Sequence, residues 1–165
     1  MRRETRAQAE VGPVAEGASG EIGTAHGTGR PLCPSARPET EGSRILGVVA
    51  GSVTAPFVRM LDDPVPAPPG LDARLGGIAA TEVMRFAAPC ACNRCRHFSG
   101  GICGIGRRMV EELVPAAEGV PACAIRAECR WWRQEGRAAC LRCTQIVTDS
   151  YDPDGPAARV IETAC

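Results

Sequence analysis

The stretch "CACNRCRHFSGGIC", residues 90–103, places four cysteines within fourteen residues. A second group follows it, so that eight of the ten cysteines in the chain lie between Cys90 and Cys143. The spacing is C-x-C-x2-C-x7-C, then nineteen residues, then C-x5-C-x10-C-x2-C. In a reducing compartment, cysteines at this density favour metal or redox chemistry over disulfide bonds, because the thiols stay reduced.

The eight clustered thiols are all predicted to bind the metal or cofactor: Cys90, Cys92, Cys95, Cys103, Cys123, Cys129, Cys140 and Cys143. The simplest partition is sequential, with the first four cysteines on one site and the last four on another. In an interleaved partition, the two C-x2-C pairs, "CNRC" and "CLRC", would share one metal. Their 44-residue separation exceeds the roughly 15–20 residues typical of a zinc ribbon, which disfavours this arrangement. A single four-ligand cluster with spare thiols is a third alternative.

Other residues near these cysteines are less suited to be ligands. Cys92 is the least secure member of the set, because one residue separates it from Cys90. Cys33 falls in a segment expected to be disordered, and Cys165 is the last residue, so both are expected to be bystanders. His97 is expected to lie beside the site without binding, since eight thiols already complete two tetrahedral sets.

The irregular spacing favours an iron–sulfur cluster, with 4Fe–4S preferred, over zinc. Zinc sites usually repeat C-x2–4-C or H-x3–5-H knuckles, whereas cluster ligands span a larger object and tolerate varied spacing. The glycines of "SGGICGIG", residues 99–106, permit a close approach of backbone to sulfur. Arginines beside the thiols would offset the negative charge of a thiolate-ligated cluster. Zinc is the alternative cofactor, because it would accept the same arginines.

The 165 residues predict one small, irregular α+β domain with flexible ends. Residues 1–43 have no aromatic side chain and are predicted to be a disordered N-terminal extension, or in part an artefact of a start codon assigned too early. Residues 44–148 are predicted to form a Cys-rich metal-binding domain, in which a short β segment at 45–61 precedes a helical metal-binding module. Residues 149–165 are predicted to form an acidic flexible tail.

Composition restricts the classes of function. The formal net charge is zero, and no apolar run follows the charged start of the chain. The longest apolar-leaning stretch, residues 45–58, is shorter than the about 20 residues that a transmembrane helix needs. We therefore expect a cytoplasmic protein that does not enter a membrane. Since no P-loop, dinucleotide-binding or nucleophile-elbow motif occurs, electron transfer or redox sensing with a protein redox or regulatory partner is favoured over enzyme activity.

The segment "CRWWRQEGR", residues 129–137, is basic and aromatic. Such a segment is able to stack on bases, so a zinc-stabilised module that binds protein or nucleic acid is the alternative function. Nucleic acid is not favoured, because adjacent tryptophans on a helix point about 100° apart and one of them is needed in a core short of aromatics. We predict that Trp131 or Trp132, but not both, is buried beside the second cysteine group.

Overall fold

A four-stranded antiparallel sheet lies at the centre of the computed structural model, which describes residues 29–150 and 152–162. The strands occur in the spatial order β1-β4-β2-β3, with the bounds Leu32–Ala36 for β1, Arg44–Ser52 for β2, Ala55–Pro66 for β3 and Met84–Pro89 for β4. Strands β2 and β3 form a hairpin that extends from the pair Arg44 and Pro66 to the pair Ser52 and Ala55. The predicted β segment is therefore confirmed, and it is longer than residues 45–61.

Short helices follow and surround the sheet. Within the described residues there are six α-helices: α1 Leu71–Arg74, α2 Ala80–Val83, α3 Gly104–Glu112, α4 Arg130–Glu135, α5 Arg137–Cys140 and α6 Pro156–Glu162. A second, two-stranded sheet pairs β5 Phe98–Ser99 with β6 Ile102–Cys103. Three 3₁₀ turns complete the regular structure: Cys92–Arg94, Arg126–Glu128 and Cys143–Gln145. The predicted α+β class is confirmed.

The main core lies between the sheet and the helices that carry the cysteines. Its largest buried side chains include Leu46 from β2, Met109 from α3 and Trp131 from α4. Trp131 is 1% exposed, whereas Trp132 is only partly buried, so the prediction that one tryptophan is buried is confirmed. Close packing fixes this arrangement: a Cβ atom added at Gly106 of α3 would lie 3.1 Å from Cδ1 of Trp131. Glycine therefore allows α3 to approach the indole ring.

Regular structure extends beyond both predicted domain boundaries. Strand β1 lies within the segment expected to be disordered, and it pairs with β4 through Leu32 and Pro89. Residues 1–28, the rest of that segment, lie outside the described residues. At the other end, α6 lies within the predicted flexible tail, yet it buries Val160 in the main core, and Nη2 of Arg108 donates to the Val160 carbonyl at 2.8 Å. The packed chain thus begins earlier and ends later than 44–148.

Candidate metal-binding site

The first cysteine cluster occupies a compact loop after β4. The backbone N–H of Cys90 donates to the carbonyl of Pro31 at 2.8 Å, which joins the end of β4 to the chain that enters β1. A tight turn follows, in which the N–H of Cys95 donates to the Cys92 carbonyl at 2.7 Å. The hairpin of β5 and β6 then returns the chain through two glycines with positive φ and places Cys103 opposite Phe98. Local hydrogen bonds therefore bring residues 90–103 together.

Cys33 on β1 joins this cluster. Burial raises the pKa of Cys33 to about 12; the backbone N–H of Ser35 opposes this rise, and the nearby charges of Cys90, Cys103 and Cys95 add to it. We call Cys33, Cys90, Cys95 and Cys103 the first thiol set. The expectation that Cys33 is a bystander in a disordered segment is wrong about its position, because Cys33 lies in the sheet beside predicted ligands.

Cys92 has a different environment from its neighbours. It is the one non-glycine residue with positive φ in the described chain, at 48°. Nη2 of Arg130 donates to its sulfur at 3.4 Å. Although burial raises the pKa of Cys92, hydrogen bonds from Cys90, Arg130 and Arg30 outweigh it and hold the pKa below its ordinary value. The sulfur of Cys92 is therefore held by arginine side chains.

The second cysteine cluster lines a single small cavity. Its volume is about 20 Å³, and all four predicted ligands contribute to its wall: Cys123, Cys129, Cys140 and Cys143. We call these four residues the second thiol set. Trp131, Ala139 and Met60 form part of the same wall, so the surroundings of the four thiols are largely apolar. The sequence-adjacent grouping of the last four cysteines is thus also their spatial grouping.

Burial raises the pKa of three thiols in the second set. It raises the pKa of Cys129 to about 12, while the backbone N–H groups of Trp132 and Trp131 lower it and the charge of Cys143 raises it. Burial likewise raises the pKa of Cys123 and of Cys140, and both also feel the charge of Cys143. Without a cation, Cys123, Cys129 and Cys140 therefore hold their protons more tightly than an exposed cysteine does. A bound metal ion would displace those protons, since the thiolate is the form that coordinates.

Backbone N–H groups lower the pKa of thiols in both sets. The N–H belongs to the residue two positions after the cysteine in three places: Ser35 for Cys33, Cys92 for Cys90, and Ile125 for Cys123. Cys129 occupies the N-cap of α4, where the backbone N–H groups of Trp132 and Trp131 lower its pKa. These hydrogen bonds stabilise the thiolate over the thiol, and N–H donors to sulfur are one of the means by which proteins tune metal–thiolate centres.

A buried guanidinium adjoins the second set. Arg85 is 0% exposed and donates to the carbonyls of Pro34, Cys143 and Ile146. Its Nη2 lies 3.7 Å from Sγ of Cys143, and its guanidinium carbon lies 4.9 Å from the centroid of the Trp131 ring. Among the described residues, no carboxylate forms an ion pair with Arg85. The charge of Arg85 therefore lies next to the thiol of Cys143.

The thiols lie near one another but do not form a complete coordination sphere. Among residues 29–150 and 152–162, no three His, Cys, Asp or Glu side chains are already arranged to hold a metal ion. The nine cysteines in those ranges are all free thiols. The two C-x2-C pairs lie in different clusters, which disfavours the interleaved partition. Metal binding by the eight predicted cysteines stays a prediction, and it requires their side chains to turn toward one another.

Several other predicted features have defined places. His97 is buried, and its Nε2 accepts a hydrogen bond from Nε of Arg96 at 3.0 Å. Cys165 lies outside the described residues. No helix in the described part of the chain is long and apolar enough to span a membrane. Comparisons with protein-family models, with curated proteins and with solved structures find no match to this chain.

Sequence reasoning missed two residues that shape the site. Arg85 follows Met84 in a short apolar segment, and nothing in its neighbours distinguishes it from the other eighteen arginines. Cys33 lies between two prolines in a segment dominated by small and charged residues. In each case the signal is a contact with a residue more than fifty positions away, which local sequence patterns do not contain.

Proposed function

We propose that this protein binds metal through its clustered thiols, and that an iron–sulfur cluster serves it in electron transfer or redox sensing. The observation that carries the proposal is the second thiol set, in which four cysteines line one apolar cavity beside the buried cation of Arg85. A cytoplasmic setting, as the sequence predicts, and a protein partner for electron exchange belong to the same proposal.

The charge of Arg85 supports the proposal that the second thiol set binds metal. Burying a guanidinium costs several kcal/mol unless an opposite charge or several hydrogen bonds compensate it. Three carbonyl oxygens give partial compensation. Four thiolates around one divalent ion, or around a 4Fe–4S cluster in its oxidised form, carry two net negative charges. Arg85, together with Arg126 beside Cys140, would balance that charge.

Two features favour the iron–sulfur cluster. The cavity wall is apolar and includes Trp131, which would exclude water and oxygen from the inorganic sulfur. Backbone N–H donors and arginines near sulfur are the groups that tune the potential of such clusters. When bound, the cluster would accept and release one electron. The protein's own residues would hold it, neutralise its charge and limit access of solvent.

One observation favours zinc as the second candidate. A cavity of about 20 Å³ is close to the volume that one water molecule requires, so it suits a single ion better than a four-iron cube. In that case the thiols would hold a structural zinc, and the protein would act as a module that binds protein or nucleic acid. Zinc would need smaller movements of the second thiol set than a cluster would.

The deciding experiment is purification of the full chain without oxygen, followed by metal analysis and a visible absorption spectrum. A brown protein with iron and acid-labile sulfide supports the cluster, and a colourless protein with stoichiometric zinc supports the alternative. Cys129→Ser should lower the bound metal, whereas Cys165→Ser, at the last residue of the chain, should not. A full chain that carries neither metal after reconstitution with iron and sulfide or with zinc would contradict the proposal.

A further inference from the structure

We propose that Cys33 completes a second metal site with Cys90, Cys95 and Cys103, and that Cys92 is not one of its ligands. The inference rests on the proposed function, since it concerns the residues that hold the metal. It changes the sequence-based ligand list in two places, because it adds a residue expected to be a bystander and removes one expected to bind.

The pairing of β1 with β4 carries the first part of the inference. Cys33 is in register with Ala88, and Leu32 is in register with Pro89, so the sheet brings Cys33 alongside the end of β4 where Cys90 follows. The hydrogen bond from the Cys90 N–H to the Pro31 carbonyl extends this pairing by one step. Cys33 is thus held beside the cysteine loop by the sheet itself, although 57 positions separate it from Cys90.

The surroundings of the sulfur atoms carry the second step. The backbone N–H of Ser35 lowers the pKa of Cys33 in the same i+2 relation in which the N–H of Cys92 lowers that of Cys90 and the N–H of Ile125 lowers that of Cys123. Cys33 therefore shares this feature with two of the predicted ligands.

Cys92 differs from Cys33 in its backbone conformation and in its contact with an arginine side chain. Its backbone is in the left-handed region, which non-glycine residues adopt only at a cost. In this conformation its own N–H lowers the pKa of Cys90, while its sulfur accepts from Nη2 of Arg130 at 3.4 Å, and the same guanidinium also lowers the pKa of Cys90. Arg130 in turn lies over the ring of Phe98, 5.0 Å from its centroid, which fixes the guanidinium in place. The sulfur of Cys92 is thus already engaged by Arg130.

The test measures bound metal in three full-length proteins that are reconstituted in parallel with Co²⁺ and with iron and sulfide. The unsubstituted chain, Cys33→Ser and Cys92→Ser are compared by metal analysis and by the intensity of thiolate-to-cobalt charge transfer. We expect Cys33→Ser to lose about half of the bound metal, because one of two sites is broken. We expect Cys92→Ser to keep the full amount.

Three outcomes separate the inference from the proposed function. If the unsubstituted chain binds metal and Cys33→Ser binds as much, Cys33 is not a ligand, and this inference alone fails. If Cys92→Ser loses a site, the inference fails as well, whatever the fold of the Cys33 variant. If the unsubstituted chain binds no metal, both proposals fall. Retention of the second site in Cys33→Ser, together with an unchanged near-ultraviolet signal from Trp131, shows that the loss is not due to unfolding.

Discussion

Arg85 contacts Cys143 at both its backbone and its side chain: Nη1 donates to the Cys143 carbonyl at 2.7 Å, and Nη2 lies 3.7 Å from its sulfur. The same guanidinium donates to Pro34 and Ile146, so one buried side chain ties β1 and the turn after α5 to β4. A positive charge is therefore fixed beside the second thiol set by the fold. The following predictions test what this and the neighbouring contacts do.

Replacing Arg85 with methionine should destabilise the protein by about 3–5 kcal/mol and weaken metal binding by the second set. The substitution leaves three buried carbonyls without their donor and removes the charge that balances the thiolates. Arg59→Met, on the exposed side of β3, is the matched control and should change stability by less than about 0.5 kcal/mol. Thermal unfolding and metal analysis provide the readouts. Equal effects of the two substitutions would contradict this role.

Trp131→Ala should cost about 3–5 kcal/mol, because it opens a cavity in the main core. It should also speed the loss of bound metal in air, since Trp131 forms part of the wall around the second thiol set. Trp132→Ala should do much less, because Trp132 is partly exposed and its ring faces Arg126 at 5.7 Å. Should both variants keep their metal while losing affinity for single-stranded nucleic acid, a stacking surface would be the better explanation.

Alkylation should distinguish the thiols of the reduced, metal-free protein. Iodoacetamide at pH 8 should modify Cys92 first, because hydrogen bonds from Cys90, Arg130 and Arg30 lower its pKa despite the opposing effect of burial. Cys129 and Cys33 should react last, because burial raises the pKa of each to about 12. Mass spectrometry of timed samples gives the order. The same reaction in 8 M urea is the control, and there the differences should disappear.

The metal-free protein should lose stability at alkaline pH. Cys129 has an ordinary pKa of 9.0 and a folded pKa of about 12, so the folded state holds its proton more tightly than the unfolded state. The resulting stabilisation is fully present below pH 9 and is lost as the pH rises toward 12. A shift of this size corresponds to at most about 4 kcal/mol. Urea unfolding at pH 8 and pH 11 measures the change, and Cys129→Ala should reduce its pH dependence.

Deletion of residues 1–40 should destabilise the protein and lower its metal content. This reverses the outcome that the sequence predicts for a disordered extension, because the deletion removes β1 and Cys33. Deletion of residues 1–28 ends just before the described chain and is the matched comparison. If the two truncated proteins unfold at the same temperature and bind the same metal, then β1 contributes nothing measurable.

The sequence predicts features that depend on local pattern and fails where distant contacts decide. The hairpin of β2 and β3 follows from β-branched residues around Gly51, and the burial of one tryptophan follows from helix geometry. Residues 144–148, "TQIVT", have the composition of a short strand, yet a 3₁₀ turn forms at Cys143–Gln145. The physical reason for the turn is Arg85, which donates hydrogen bonds to the carbonyls of Cys143 and Ile146. These carbonyls are then not available to pair with a neighbouring strand.

The same distinction explains the site. The turns and hairpin within residues 90–103 are encoded locally, by C-x2-C spacing and by the two adjacent glycines. The position of Cys33 depends on a strand that is too short and too rich in proline to be recognised alone. Its partner β4 supplies the pairing from 50 or more residues away. Composition therefore describes such a segment as disordered until its partner is known.

At two places in the chain, residues that are consecutive in the sequence contact different thiol sets. Leu32 forms a parallel bridge with Cys129 of the second set, while the next residue, Cys33, belongs to the first. Likewise Cys129 precedes Arg130, which donates to the sulfur of Cys92 in the loop of the first. Neither half is therefore a separable module. A fragment that begins at residue 104 would retain every cysteine of the second set and still lack the strand against which Cys129 rests. The two clusters are therefore separate in the sequence, but the folded chain cannot be cut between them.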